Sequence, residues 1–212
     1  MVNLSDIAQR LQAGKAGETA DLIAKALEEN YSVESILRQA LIPGMRAVAS
    51  RYKRKEIFQP EMLIAERAMN WGIETLRSSL ACNAEKLKGA VVIGIVKGDI
   101  RDYEKSLMAI ALESKFLRVI DLGSGVEPER FVETAVMEKA RLIICTANLP
   151  CAMGQLKLVV HAASSSGVRG LVTIMATGAP VTEKYCRDIG ADCYARDALA
   201  AAEIAESIFA KT

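Results

Sequence analysis

Charge of one sign is missing from this chain: 27 lysines and arginines stand against 26 aspartates and glutamates in 212 residues, a formal net charge of +1. Without a basic excess there is no global field to attract nucleic acid or an anionic membrane, and nucleic acid is not expected as a partner. No apolar run approaches the roughly 20 residues that a membrane helix needs. The first residues, Met1-Val2-Asn3-Leu4-Ser5-Asp6, lack a basic segment leading into an apolar one, so a soluble protein is expected. The five cysteines, Cys82, Cys145, Cys151, Cys186 and Cys193, contain no C-x-x-C pair. That irregular odd set fits reduced cytosolic thiols better than a disulfide framework or a zinc site, and it places the protein in the cytoplasm.

Two hydrophobic periods divide what is present. Up to about Leu80 the apolar residues recur at helical spacing, as in Leu22, Ile23, Ala26 and Leu27, then Val33, Ile36, Leu37, Leu41, Met45 and Val48, then Leu63, Met69, Ile73, Leu76 and Leu80. Breaks at Gly14 and Gly17, Asn30 to Ser32, and Glu56 to Pro60 predict a short helix and three longer ones packed as a bundle. Pro43 should kink or interrupt the third. After Asn83 to Gly89 the pattern becomes short β-branched runs at Ala90 to Ile95, Leu117 to Asp121, Arg141 to Thr146 and Leu171 to Met175, with Asp192 to Ala195 as a short fifth. Helical patterns lie between them, at about Tyr103 to Lys115, Glu129 to Lys139, Met153 to Ser166 and Thr182 to Asp188, with Ala198 to Phe209 last. The alternation predicts an α/β domain with a parallel sheet, helices on both faces and ligands received at the carboxyl ends of the strands. The boundary is drawn at residues 1–88 and 89–212.

The strand-end loops exclude two common functions. Lys97-Gly98-Asp99-Ile100-Arg101-Asp102-Tyr103-Glu104-Lys105 has neither G-x-G-x-x-G nor Walker A spacing, which removes the main support for a nicotinamide or nucleoside triphosphate site. A phospho-receiver needs an aspartate at the end of its third strand, where this chain has Thr146-Ala147-Asn148.

Both halves resemble the corrinoid proteins that serve methanol, methylamine and methoxy-aromatic methyltransferases, and the cobalamin module of methionine synthase. In the helical half the resemblance rests on Leu41-Ile42-Pro43-Gly44-Met45 and the stretch Tyr52 to Glu61. In the other half it rests on Val92-Ile93-Gly94, Gly98-Asp99-Ile100, Val119 to Gly123, Gly178-Ala179-Pro180-Val181-Thr182 and Ile189-Gly190-Ala191-Asp192. It implies a helical cap-like domain and a flavodoxin-like, Rossmann-like domain with a five-stranded parallel sheet. It also implies a cofactor whose nucleotide tail threads into the α/β domain while a histidine of a D-x-H-x-x-G loop sits under the cobalt.

Mapped onto that pattern, the motif is degenerate. Asp99 keeps the aspartate and Ile100 follows it, but Arg101 stands at the histidine and Glu104 at the glycine. A guanidinium stays protonated and offers no lone pair to a metal. Of the two tail-tunnel elements, Thr146-Ala147-Asn148, followed by Leu149, replaces S-x-L, and Thr177-Gly178, followed by Ala179, replaces Gly-Gly. A hydroxyl that completes the histidine's proton relay would fall near Ala152, which has none. His161, the sole histidine, lies in a helical pattern and reads as an ordinary helix residue. Cys151 beside the tunnel reads as a small apolar side chain. Met62, Leu63, Met69 and Trp71 suit a cover over a corrin ring, although bundle core is the default for such a stripe. The basic run Arg51, Lys53, Arg54 and Lys55 reads as a solvated helix end.

The resemblance therefore implies a cofactor-carrying component of a methyltransferase system, not a complete enzyme. It would bind cobalamin base-off without a histidine ligand and dock on partner methyltransferases, its oligomeric state left open. A paralogue that has lost cobalamin and acts as a scaffold, regulator or binder of another small molecule is the alternative, supported by Glu104 and the altered tunnel.

Overall fold

The computed structural model describes residues 1–80, 87–99 and 103–210, without the side chain of Tyr103. Two compact units divide the chain, Met1–Asn83 and Ala84–Thr212.

In the first unit α1 (Leu4–Gln12), α2 (Ala16–Glu28), α3 (Val33–Ile36), α4 (Ile42–Lys53) and α5 (Gln59–Leu80) bury Ile7, Leu11, Ile23, Leu41, Met45, Met69 and Leu76 against one another. Side-chain caps fix the starts. Asn3 accepts from the Ser5 amide at 3.1 Å, Ser32 from the Ser35 amide at 3.1 Å, and Glu61 from the Phe58 amide at 2.9 Å. Gly14, at φ +70°, ends the turn after α1, whereas Gly17 lies inside α2 instead of breaking it. Pro43 neither breaks nor ends its helix. A five-residue π-turn, Leu37–Leu41, joins α3 to α4, with the Ile42 amide reaching the Leu37 carbonyl. A proline cannot donate to the carbonyl four residues back, and a widened turn just before it absorbs that loss.

The second unit is a five-stranded sheet in the order β2-β1-β3-β4-β5, every neighbouring pair parallel. The strands are β1 (Gly89–Ile95), β2 (Leu117–Asp121), β3 (Leu142–Thr146), β4 (Thr173–Thr177) and β5 (Cys193–Ala195). The helices are α6 (Tyr103–Glu113), α7 (Pro128–Met137), α8 (Met153–Ser165), α9 (Glu183–Ile189) and α10 (Ala198–Ala210). Alternation sends Val92, Ile143, Cys145 and Ala176 into a core with Phe131 of α7, Leu156 of α8 and Cys186 of α9. The opposite face carries α6, which packs on α10. β4 begins two residues later than the Leu171 expected from sequence, because Leu171 is a turn residue, 74% exposed. There the Arg169 guanidinium donates to the Gly190 carbonyl at 2.8 Å and to Asp192 at 2.7 Å, and Asp192 accepts the Ile174 amide at 2.7 Å. This staple sets where β4 and β5 start.

Burial decides the behaviour of the described thiols. Cys145 is wholly buried, and desolvation pushes its thiol up to about 12 and that of Cys186 to about 11. An alkylating reagent at pH 8 is therefore expected to modify the exposed Cys151 and spare Cys145 and Cys186, as read by mass spectrometry of the native protein. Labelling of Cys145 at the rate of Cys151 would contradict this burial. The stability drawn from protonated thiols is complete below the ordinary thiol value near 9.0 and is lost as the pH rises toward about 12.

Candidate functional site

Three strand-end loops of the α/β unit meet at the carboxyl edge of the sheet. The Val96 amide donates to the Thr146 carbonyl at 3.0 Å, and the Ala147 amide donates to the Thr177 carbonyl at 2.9 Å, so the loops after β1, β3 and β4 are tied backbone to backbone. Asp99, 1% exposed, accepts the Asn148 amide at 2.5 Å through Oδ2 and pins the first loop to the second. Gly178 takes φ +129°, and a Cβ there would lie 1.9 Å from the Ala147 carbonyl oxygen. Only glycine permits that approach.

The side chains expected from sequence separate on this framework. Asp99, Thr146, Asn148 and Thr177 are buried together at the edge, while Leu149 is half-buried against the α7–α8 core and Ala179 is exposed. Thr177 donates its hydroxyl to the Ala195 carbonyl at 2.8 Å and so ties β4 to β5. The Thr146 hydroxyl oxygen is shielded from solvent and has no hydrogen-bond partner among the described residues. Leaving such a group unsatisfied costs about 1–3 kcal/mol. Glu104 is half-buried in the first turn of α6. Ile100 and Arg101 lie outside the described residues.

His161 is exposed on α8, its ring nitrogen 3.4 Å from the Ser165 hydroxyl, and Cys151 is exposed in the short turn Pro150–Ala152. Among the described residues no cluster of histidine, cysteine and carboxylate side chains is arranged to hold a metal ion. In the helical unit the stripe splits: Met69 is fully buried, but Leu63 and Trp71 are 54% and 49% exposed, with Arg67 placed 5.9 Å over the Trp71 ring. The bundle-core expectation holds for Met69 and fails for Leu63 and Trp71, which fall on the outward side of α5.

Sequence reasoning gave Lys105 no role. Its side chain, 4% exposed, forms an ion pair with Asp121 at the end of β2, and the other Asp121 oxygen accepts the Gly123 amide at 2.8 Å. The pair fastens the first turn of α6 to the loop after β2. The available signal was a lysine within one turn of the apolar run Leu107 to Leu112.

A helical unit followed by a unit with a five-stranded parallel sheet, at whose carboxyl edge domains of this architecture receive ligands, defines a two-unit α/β protein. Residues 4–77 match the B12 binding domain family. The dimethylamine corrinoid protein 3 of Methanosarcina acetivorans is 32% identical over 195 residues, covering 92% of this chain and 91% of that protein. The monomethylamine corrinoid protein of Methanosarcina barkeri superposes with a TM-score of 0.84 at 27% identity over 97% of each chain. The methanol:cobalamin methyltransferase complex MtaBC of the same organism contains a chain that matches with a TM-score of 0.57 at 26% identity, covering 97% of this chain and 79% of that one. The protein belongs to the family of methyltransferase-associated corrinoid proteins. No helix among the described residues is long and apolar enough to cross a membrane.

Proposed function

We propose that this protein is a cytoplasmic corrinoid-binding methyl carrier that serves partner methyltransferases and holds its cobalt without a histidine ligand from below. The Thr146 hydroxyl carries this reading, because it is a buried polar group without a hydrogen-bond partner among the described residues, at the sheet edge where the resemblance puts the nucleotide tail. Membership of the family and the names of the relatives support the cofactor and the partners.

The residues present fit such a group. Asp99, Thr146, Asn148, Thr177 and Gly178 would hold the tail at the sheet edge, flanked by Leu149 and Ala179, while Ile100, Arg101 and Glu104 belong to the loop and helix turn beneath the corrin. Residues 1–88 are assigned as the cap-like domain and residues 89–212 as the cofactor domain. When bound, the corrinoid supplies the one-carbon transfer chemistry at its cobalt. The chain's own part is to bury the tail, to keep the loops registered through Asp99 and Lys105, and to exclude water from Thr146.

Arg101 has no lone pair to offer cobalt, and His161 sits on α8. The cobalt(II) form of the loaded protein is therefore expected to give an electron paramagnetic resonance spectrum without axial nitrogen splitting, and Arg101→His to introduce it. Splitting in the unmodified protein would refute the ligand-free reading. A second reading, a paralogue that no longer binds cobalamin and works as a scaffold, regulator or binder of another small molecule, draws on Glu104, a long acidic side chain in the first turn of α6 where the family pattern has glycine. Failure to retain corrinoid absorbance after anaerobic mixing and desalting would favour it.

A further inference from the structure

We propose that Thr177 is a two-position latch whose hydroxyl is shared between the Ala195 carbonyl of β5 and the Thr146 hydroxyl of β3, so that the state of Thr146 sets how firmly β5 is held. The ladders pair Thr146 with Thr177 and Thr177 with Ala195. Ala147 belongs to the core shared with α7 and α8, so alternation turns Thr146, and with it the registered Thr177, to the other side of the sheet. The two threonines are neighbours on one face, their strands about 4.8 Å apart, and both are buried. Thr177 donates its proton to the Ala195 carbonyl at 2.8 Å, whereas Thr146 Oγ1 has no partner among the described residues.

A threonine hydroxyl donates one hydrogen bond and accepts two, and its side chain moves between staggered wells about 120° apart. One such step carries the Thr177 oxygen from the β5 side to the β3 side, where it meets the Thr146 hydroxyl. The exchange gives up the bond to Ala195 and satisfies a buried oxygen that otherwise lacks a partner, so the two positions lie close in free energy. The β5 ladder has only three residue pairs, from Met175 and Cys193 to Thr177 and Ala195, and the loss of the Ala195 bond falls on this short margin. When β5 opens, Thr177 is not left unsatisfied. It turns to Thr146, which stabilises the opened margin. A molecule that hydrogen-bonds the Thr146 hydroxyl, whatever its chemistry, removes that alternative and leaves Thr177 on Ala195.

Hydrogen exchange of the full-length protein, followed amide by amide, tests the latch without any ligand. Thr146→Val keeps the shape but not the hydroxyl, and is expected to slow exchange at Cys193, Tyr194 and Ala195 about fivefold, the ratio that one hydrogen bond produces. Thr146→Ser, which keeps the oxygen, should stay within about twofold of the unmodified protein. Thr177→Val should speed the same amides, and adding Thr146→Val to it should then slow nothing at β5. Removal of an unpaired buried hydroxyl also stabilises the whole domain, but that gain appears at the β1 and β3 amides, which exchange by global unfolding, and not selectively at β5. Unchanged β5 exchange in either valine variant, slowing shared equally with β1 and β3, or the same slowing in the Thr177→Val background would overturn the latch.

Discussion

Gly178→Ala is expected to lower the folding free energy by roughly 3 kcal/mol or more, read as a fall in the urea midpoint of the whole protein. Two costs combine. The backbone at φ +129° is a conformation that side chains rarely adopt, and the new Cβ would stand 1.9 Å from the Ala147 oxygen and 2.5 Å from its carbonyl carbon. Both obstructing atoms belong to the main chain, so no rotamer change relieves the contact. The loops must separate, and the hydrogen bond from the Ala147 amide to the Thr177 carbonyl goes with them. Gly154→Ala is the control, since a Cβ there meets nothing within 4 Å on a helix where alanine is favoured by about 1 kcal/mol. Similar midpoints for the two variants would show that the loops after β3 and β4 do not approach as described.

Glu104→Gly should raise the affinity for complete cobalamin by about tenfold or more and leave that for cobinamide nearly unchanged, as measured by absorbance titration. Glu104 occupies the first turn of α6, next to the buried Lys105 that fixes this turn to β2. On the reading that Glu104 obstructs the tail, a glycine removes the obstructing side chain, at a helix-propensity cost of about 1 kcal/mol that falls equally on both ligands. The ratio of the two affinities therefore isolates the steric effect. Equal changes for both cofactors would locate the limiting contact elsewhere.

Most of the fold was legible because its signals are local. The change of hydrophobic period near residue 83, the β-branched runs and the caps at Asn3, Ser32 and Thr182 are each written within a few neighbouring residues. The exceptions depended on tertiary partners. The start of β4 is set by Arg169 and Asp192, which are 23 residues apart, and the exposure of Leu63 and Trp71 depends on which side of α5 faces its neighbours. At the site, the loops could be named from the strand pattern, but not the bonds that join them. That Asp99 holds the Asn148 amide, that Thr177 turns to Ala195 and that Lys105 meets Asp121 are consequences of chain segments brought together by the crossovers.

The shortness of β5 bears on how firmly the margin of the sheet is held. Its ladder with β4 runs only from Met175 and Cys193 to Thr177 and Ala195, at the outer margin of the sheet. Such a margin opens by local unfolding at a free energy well below that of the whole domain. The Thr177 hydroxyl and the Arg169 staple are what oppose that opening. Fraying of β5 would loosen the start of α10, which follows it directly and covers the same side of the sheet as Thr146. The amides paired between β4 and β5 are then expected to exchange with solvent faster than those at the centre of the sheet in β1 and β3.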